Sequence, residues 1–64
     1  MMVNGVARDV SAPCTVASLV QALGIEIRGV AVAVNGDIVL RSEWSNTVVN
    51  STDHVEIVTA AAGG

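Results

Sequence analysis

The chain has 64 residues, six acidic against three basic side chains, a net charge of −3, one cysteine and one aromatic residue. This length suits one domain near the lower limit for independent folding, and a lone cysteine excludes an intrachain disulfide and fits a reducing cytoplasm. The only side-chain cations are Arg8, Arg28 and Arg41, with no lysine, which is too little for a nucleic-acid footprint, and no apolar run approaches the roughly 20 residues of a membrane span.

The first predicted element is a hairpin, Met1 to Asn4 and Val6 to Val10, turning at Asn4-Gly5. Asn-Gly is the strongest short hairpin signal, because a type I′ turn needs positive φ at both central residues. Ser11-Ala12-Pro13 ends it, since proline has no N–H to give a central strand. Val16, Leu19, Val20 and Leu23 follow at i, i+3, i+4 and i+7, the apolar stripe of an amphipathic helix. Thr15 is its expected N-cap, and Gly24 stands where a left-handed residue closes a helix.

Val30 to Val34 reads as a strand with valines on one face and the smaller Ala31 and Ala33 on the other. A second Asn-Gly turn, Asn35-Gly36, returns it as Asp37 to Leu40. Arg41 to Asn46 reads as one helical turn around Trp44, and Thr47 to Val49 as a short apolar segment. Asn50 to Asp53 is a turn cluster, after which Val55, Ile57 and Thr59 alternate with Glu56 and Val58 as a final strand. One helix on a mixed sheet of four or five strands is an α+β architecture. A parallel pairing of the first and last strands would put both inside the sheet.

Most residues that could carry chemistry have a plainer use. Cys14, just before the helix cap, is read as a hydrophobic staple facing Leu19. His54 beside Asp53 has no second His or Cys at metal-ligand spacing. Trp44 is read as a plug at the end of the core, and Arg41 as a surface partner of Glu43 or Asp37. Asp37, Asp53 and Glu56 are scattered carboxylates of a solvated face. No metal site and no catalytic residue is expected.

The exception is the end of the sequence. Residues 1–59 form the expected domain, and Ala60-Ala61-Ala62-Gly63-Gly64 an expected flexible tail. Two glycines resist ordering, yet without side chains they pass through a narrow tunnel, and the three alanines keep their approach thin. Fully extended, five residues reach about 17 Å. A carboxylate at Gly64 is an anion at neutral pH and becomes a good electrophile only once its oxygen is made a leaving group.

Val32-Ala33-Val34-Asn35-Gly36-Asp37-Ile38-Val39, then Arg41-Ser42-Glu43-Trp44, then Asp53 with Val55-Glu56-Ile57-Val58 and Gly63-Gly64 resemble the ThiS family of β-grasp, ubiquitin-like sulfur carriers. The resemblance runs through nearly the whole chain and is densest from Val32 onward. Leu40 and Thr52 depart from it, where the family often has proline and glycine.

The resemblance implies a non-enzymatic carrier for thiazole formation in thiamine biosynthesis. Gly64 would be adenylated and then converted to a thiocarboxylate, with Gly63, Ala62 and Ala61 recognised by the enzymes that act on it. It implies no bound cofactor, with ATP consumed by an E1-like, ThiF-like adenylyltransferase. Sulfur would come from a persulfide charged by a cysteine desulfurase, and a ThiG-like thiazole synthase would receive it. Exposed apolar positions on the open sheet face are the expected interface. The alternatives are a carrier like the small subunit of molybdopterin synthase, disfavoured by Thr59-Ala60-Ala61-Ala62 in place of prolines, and a ubiquitin-like protein modifier.

Overall fold

Two Asn-Gly pairs lay out the strands in a computed structural model that describes residues 1–26 and 28–59. β1 (Met2–Val3) turns into β2 (Val6–Ala7) through Asn4 and Gly5 at φ of 53° and 78°, both left-handed as a type I′ turn demands. The expected second strand reached Val10, but pairing ends at Met2 opposite Ala7. A last bond runs from Arg8 N–H to the Met1 carbonyl at 2.9 Å, so Asp9 and Val10 have no partner in β1.

Cys14 and Thr15 form a short strand, β3 (Cys14–Thr15), that runs directly into helix α1 (Val16–Ala22). Thr15 caps the helix as expected, its hydroxyl oxygen accepting from Ser18 N–H at 3.1 Å. At the other end Gly24 takes φ of 69°. Its N–H reaches the Gln21 carbonyl at 3.0 Å, and that of Ile25 reaches Val20 at 3.3 Å. This paired closure satisfies carbonyls the helix leaves free. Val16, Leu19 and Val20 are fully buried, while Ser18, Gln21 and Ala22 face outward.

β4 (Val30–Val34) and β5 (Asp37–Val39) form the second hairpin, with Asn35 and Gly36 at φ of 51° and 88°. Leu40 leaves the expected strand to begin a 3-10 turn at Arg41–Glu43. That turn delivers Trp44, which is 4% exposed and donates from its indole nitrogen to the Val39 carbonyl at 3.0 Å. Trp44 is therefore the expected core plug, with its one polar atom satisfied. β6 (Val48–Val49) pairs antiparallel with β3, and β7 (His54–Thr59) closes the fold.

The main sheet has the order β2-β1-β7-β4-β5. β1 and β7 pair in parallel, and the other neighbours are antiparallel. Val3, Val32, Val55 and Ile57 from one sheet face meet Val16, Leu19, Val20, Trp44 and Val49 in a single core. The expected α+β, β-grasp arrangement is therefore observed. The β3–β6 ladder was not expected: each strand is two residues long, too short to show a period. Cys14 lies in that ladder, half-buried against the core.

Among the described residues, no helix is long and apolar enough to cross a membrane. The expected flexible tail at 60–64 lies outside the described residues.

Candidate functional site

Gly64, and with it Gly63, Ala62 and Ala61, lies outside the described residues, so the site is built here from the strand that leads to them. β7 occupies the middle of the sheet. On one side β4 pairs with it to its last residue, Val30 standing opposite Thr59. On the other side β1 ends early, its pairs being Met2 with His54 and Val3 with Val55.

The turn after β1 extends that short ladder. The Asn4 backbone N–H donates to the Val55 carbonyl at 2.9 Å. Its side-chain oxygen then accepts from Ile57 N–H at 2.7 Å, and its side-chain nitrogen donates to the Ile57 carbonyl at 3.1 Å. A side-chain amide thus does what the next strand residue would do. Asn35 does the same at the opposite end. Its N–H donates to the His54 carbonyl at 2.7 Å, and its side-chain oxygen accepts from His54 N–H at 3.0 Å.

Both left-handed asparagines therefore pin β7, one at its start and one two residues before its end. Sequence reasoning read Asn4 and Asn35 as turn formers only. An extra signal was available, since asparagine at a turn carries an amide that mimics the peptide group.

Asp53 is structural. One carboxylate oxygen accepts from Asn50 N–H at 2.7 Å and the other from the Asn35 side chain at 3.0 Å. The Asn50 bond first, then the Asn35 bond, holds its carboxyl below the ordinary carboxylate range. His54 is exposed, and among the described residues no group of three or more His, Cys, Asp or Glu is placed to hold a metal. The Arg41 guanidinium lies 5.4 Å from the centre of the Trp44 ring, within cation–π range.

The outward face of the sheet follows from the register. Ala33 stands beside both Ile38 and Glu56, and Ala31 beside Val58. Ile38 is 73% and Val58 60% exposed. The two alanines make a shallow depression between them, rimmed by Glu56 and Gly36. Small residues flanked by exposed branched ones leave room for a partner's apolar side chain.

Comparison with known proteins gives three similarities. The model of the ThiS family matches residues 1–64. A thiazole synthase of Paramagnetospirillum magneticum is 41% identical over 64 residues, which is 100% of this chain but 20% of that protein. The chain thus spans about one fifth of the length of that curated relative. The crystal structure of a thiamine biosynthesis protein (ThiS) from Geobacter metallireducens superposes with a TM-score of 0.82 at 30% identity, covering 98% of this chain and 96% of that one.

Proposed function

The chain belongs to the ThiS family, the small β-grasp sulfur carriers of thiamine biosynthesis, and on that premise we propose that Gly64 bears the cargo. The observation that supports this is the family match over residues 1–64, which includes both terminal glycines. The reading requires Gly64 to hold a free carboxylate in the cell.

The carboxylate oxygen attacks the α-phosphorus of ATP and pyrophosphate leaves, giving an acyl adenylate. The terminal sulfur of a persulfide then attacks the acyl carbon and AMP leaves. A second thiol breaks the remaining S–S bond, releasing the thiocarboxylate. The carrier supplies no base in these steps, because its carboxylate is already ionised at neutral pH. Charge at phosphorus is stabilised by metal and cationic groups of the activating enzyme. The chain itself needs no bound cofactor. The work of Gly63, Ala62 and Ala61 is to stay thin enough for a narrow tunnel, and that of β7 is to hold the root of the tail in one place.

The partners in this reading are a ThiF-like adenylyltransferase, a persulfide donor charged by a cysteine desulfurase, and a thiazole synthase as acceptor. The name of the Paramagnetospirillum relative supports the last of these. The face formed by Ala31, Ala33, Ile38 and Val58 is the proposed dock, apolar and next to the strand that leads to the tail. ATP and desulfurase chemistry place the cycle in the cytoplasm.

Intact-mass spectrometry of the protein from its native cell is the test. A species heavier by the difference between sulfur and oxygen, located on Gly64 by fragmentation, supports the carrier. A stable adduct with other proteins, or a chain that continues past Gly64, overturns it.

A further inference from the structure

The depression on the outward sheet face has one polar wall. Its volume is about 150 Å³, and its lining is aliphatic or glycine except for Glu56. Register fixes the layout. Ala33 of β4 separates Ile38 of β5 from Glu56 of β7. Neighbouring strands lie about 4.8 Å apart, so these two larger side chains rise about 10 Å from one another across an alanine. Ala31 continues the floor two residues along β4, with Val58 beside it. The result is a slot with a floor of two methyl groups, aliphatic walls at Ile38 and Val58, and a carboxylate on its β7 side.

The sheet places no arginine beside Glu56. Its neighbours facing the same way along β7 are His54 and Val58, and its β4 neighbour is Ala33. Arg41 lies over the Trp44 ring, which belongs to the core on the opposite face. Arg8 follows β2 at the edge of the sheet. Arg28 precedes β4, whereas Glu56 stands beside the fourth residue of that strand.

A carboxylate among aliphatic side chains is tolerated while water covers it. Once another protein covers the face, stripping that water is costly unless the incoming surface brings an opposite charge. A long basic side chain suits both parts of the slot, because its apolar stem lies along apolar surface and its charged head stands at the far end. Arginine suits it better than lysine, since the planar guanidinium is less strongly hydrated and grips both carboxylate oxygens.

Resting on the reading of this face as the dock for a thiazole synthase, we propose that the slot receives one arginine of that enzyme, its stem on Ala31 and Ala33 and its guanidinium on the Glu56 carboxylate. Glu56 is then a specificity-determining residue. It favours a surface with a cation at that point and penalises one without it.

The test measures affinity and dissociation rate of the full chain with its cognate thiazole synthase, for wild type, Glu56→Gln, Ala33→Val and Ile38→Glu. Urea midpoints confirm that each variant folds. Glu56→Gln keeps the size and removes the charge, and is expected to weaken binding at least about tenfold, mostly through faster dissociation. Ala33→Val fills the floor and is expected to weaken it likewise. Single Arg→Ala variants of the enzyme's exposed arginines then locate the counterpart, one of which should bind the wild type at least about tenfold more weakly yet lose little more against Glu56→Gln. Glu56→Gln binding within about threefold of wild type, or tighter, overturns the inference. Unaffected binding by Ala33→Val, or the lack of any coupled arginine, does the same. If Ile38→Glu weakens binding while Glu56→Gln does not, the dock stands and the arginine slot alone falls. If neither weakens it, or the wild type does not bind at all, the dock is misplaced and the slot falls with it.

Discussion

Replacing Asn4 by glycine isolates what the side-chain clamp contributes to the strand that leads to the tail. Glycine accepts the φ of 53° that Asn4 adopts, so the turn survives while both bonds to Ile57 are lost. Each such bond is worth about 0.5–1.5 kcal/mol net, and the Ile57 peptide groups are partly buried at the place where β1 has ended. The expected loss is therefore about 2 kcal/mol. A domain of this size has only some 3–10 kcal/mol to lose, so the melting temperature should fall by about 10 °C. Asn35→Gly is the control, because its lost bonds lie at the exposed start of β7. Urea denaturation gives the stabilities, and amide hydrogen exchange locates the change, with Ile57 N–H exchanging faster in Asn4→Gly and unchanged in Asn35→Gly. An Asn4→Gly protein within about 0.5 kcal/mol of wild type, with Ile57 still protected, would show that the clamp is geometry without energy.

Four further outcomes are expected. The Asp53 carboxyl is held below its ordinary value of 3.8, so its stabilising effect is present above that value and lost as pH falls through the lower folded one. Asp53→Asn should flatten this acid limb of a stability–pH profile, and an unchanged limb would remove Asp53 as its source. Thr15→Ala removes the helix cap and should cost about 1 kcal/mol by urea denaturation; no measurable loss would mean that another group takes over the cap. Ile38→Glu, at a site 73% exposed, should leave stability within about 0.5 kcal/mol while weakening capture by thiazole synthase, and unchanged capture would move the dock elsewhere. Gly64→Ala should fold normally and be adenylated poorly; full adenylation by the cognate activator would refute the tunnel argument.

The elements most legible in the sequence were those with local signals. Asn-Gly pairs fixed both hairpins, and the spacing of Val16, Leu19 and Val20 with Thr15 before them placed the helix and its start. Trp44 could be placed in the core because a small apolar chain has few other uses for its one aromatic residue. Two kinds of feature escaped. The β3–β6 ladder depends on Cys14 meeting Val49 across the fold, and two-residue strands carry no periodicity. The clamps depend on where a polar side chain points after folding, although both asparagines were already visible as turn residues. The end of β2 was overestimated for a related reason: the Asn4-Gly5 signal marks a hairpin but not its length, and a strand lasts only as long as its neighbour.

The placement of β7 also bears on the order in which the molecule can form. The last strand of the fold lies between β1 and β4, and the Asn4–Ile57 bonds join residues 53 positions apart. Contacts this distant in sequence form late, because the intervening loop must close before they repay its entropy. A nascent chain emerging N-terminus first can build its hairpins and helix, but β1 and β4 remain apart until β7 leaves the ribosome. A product truncated before β7 lacks the strand that joins its two hairpins, and with it Val58 of the apolar face. Closure of the sheet thus waits on β7, and an enzyme that docks on the sheet selects chains in which this strand is already in place.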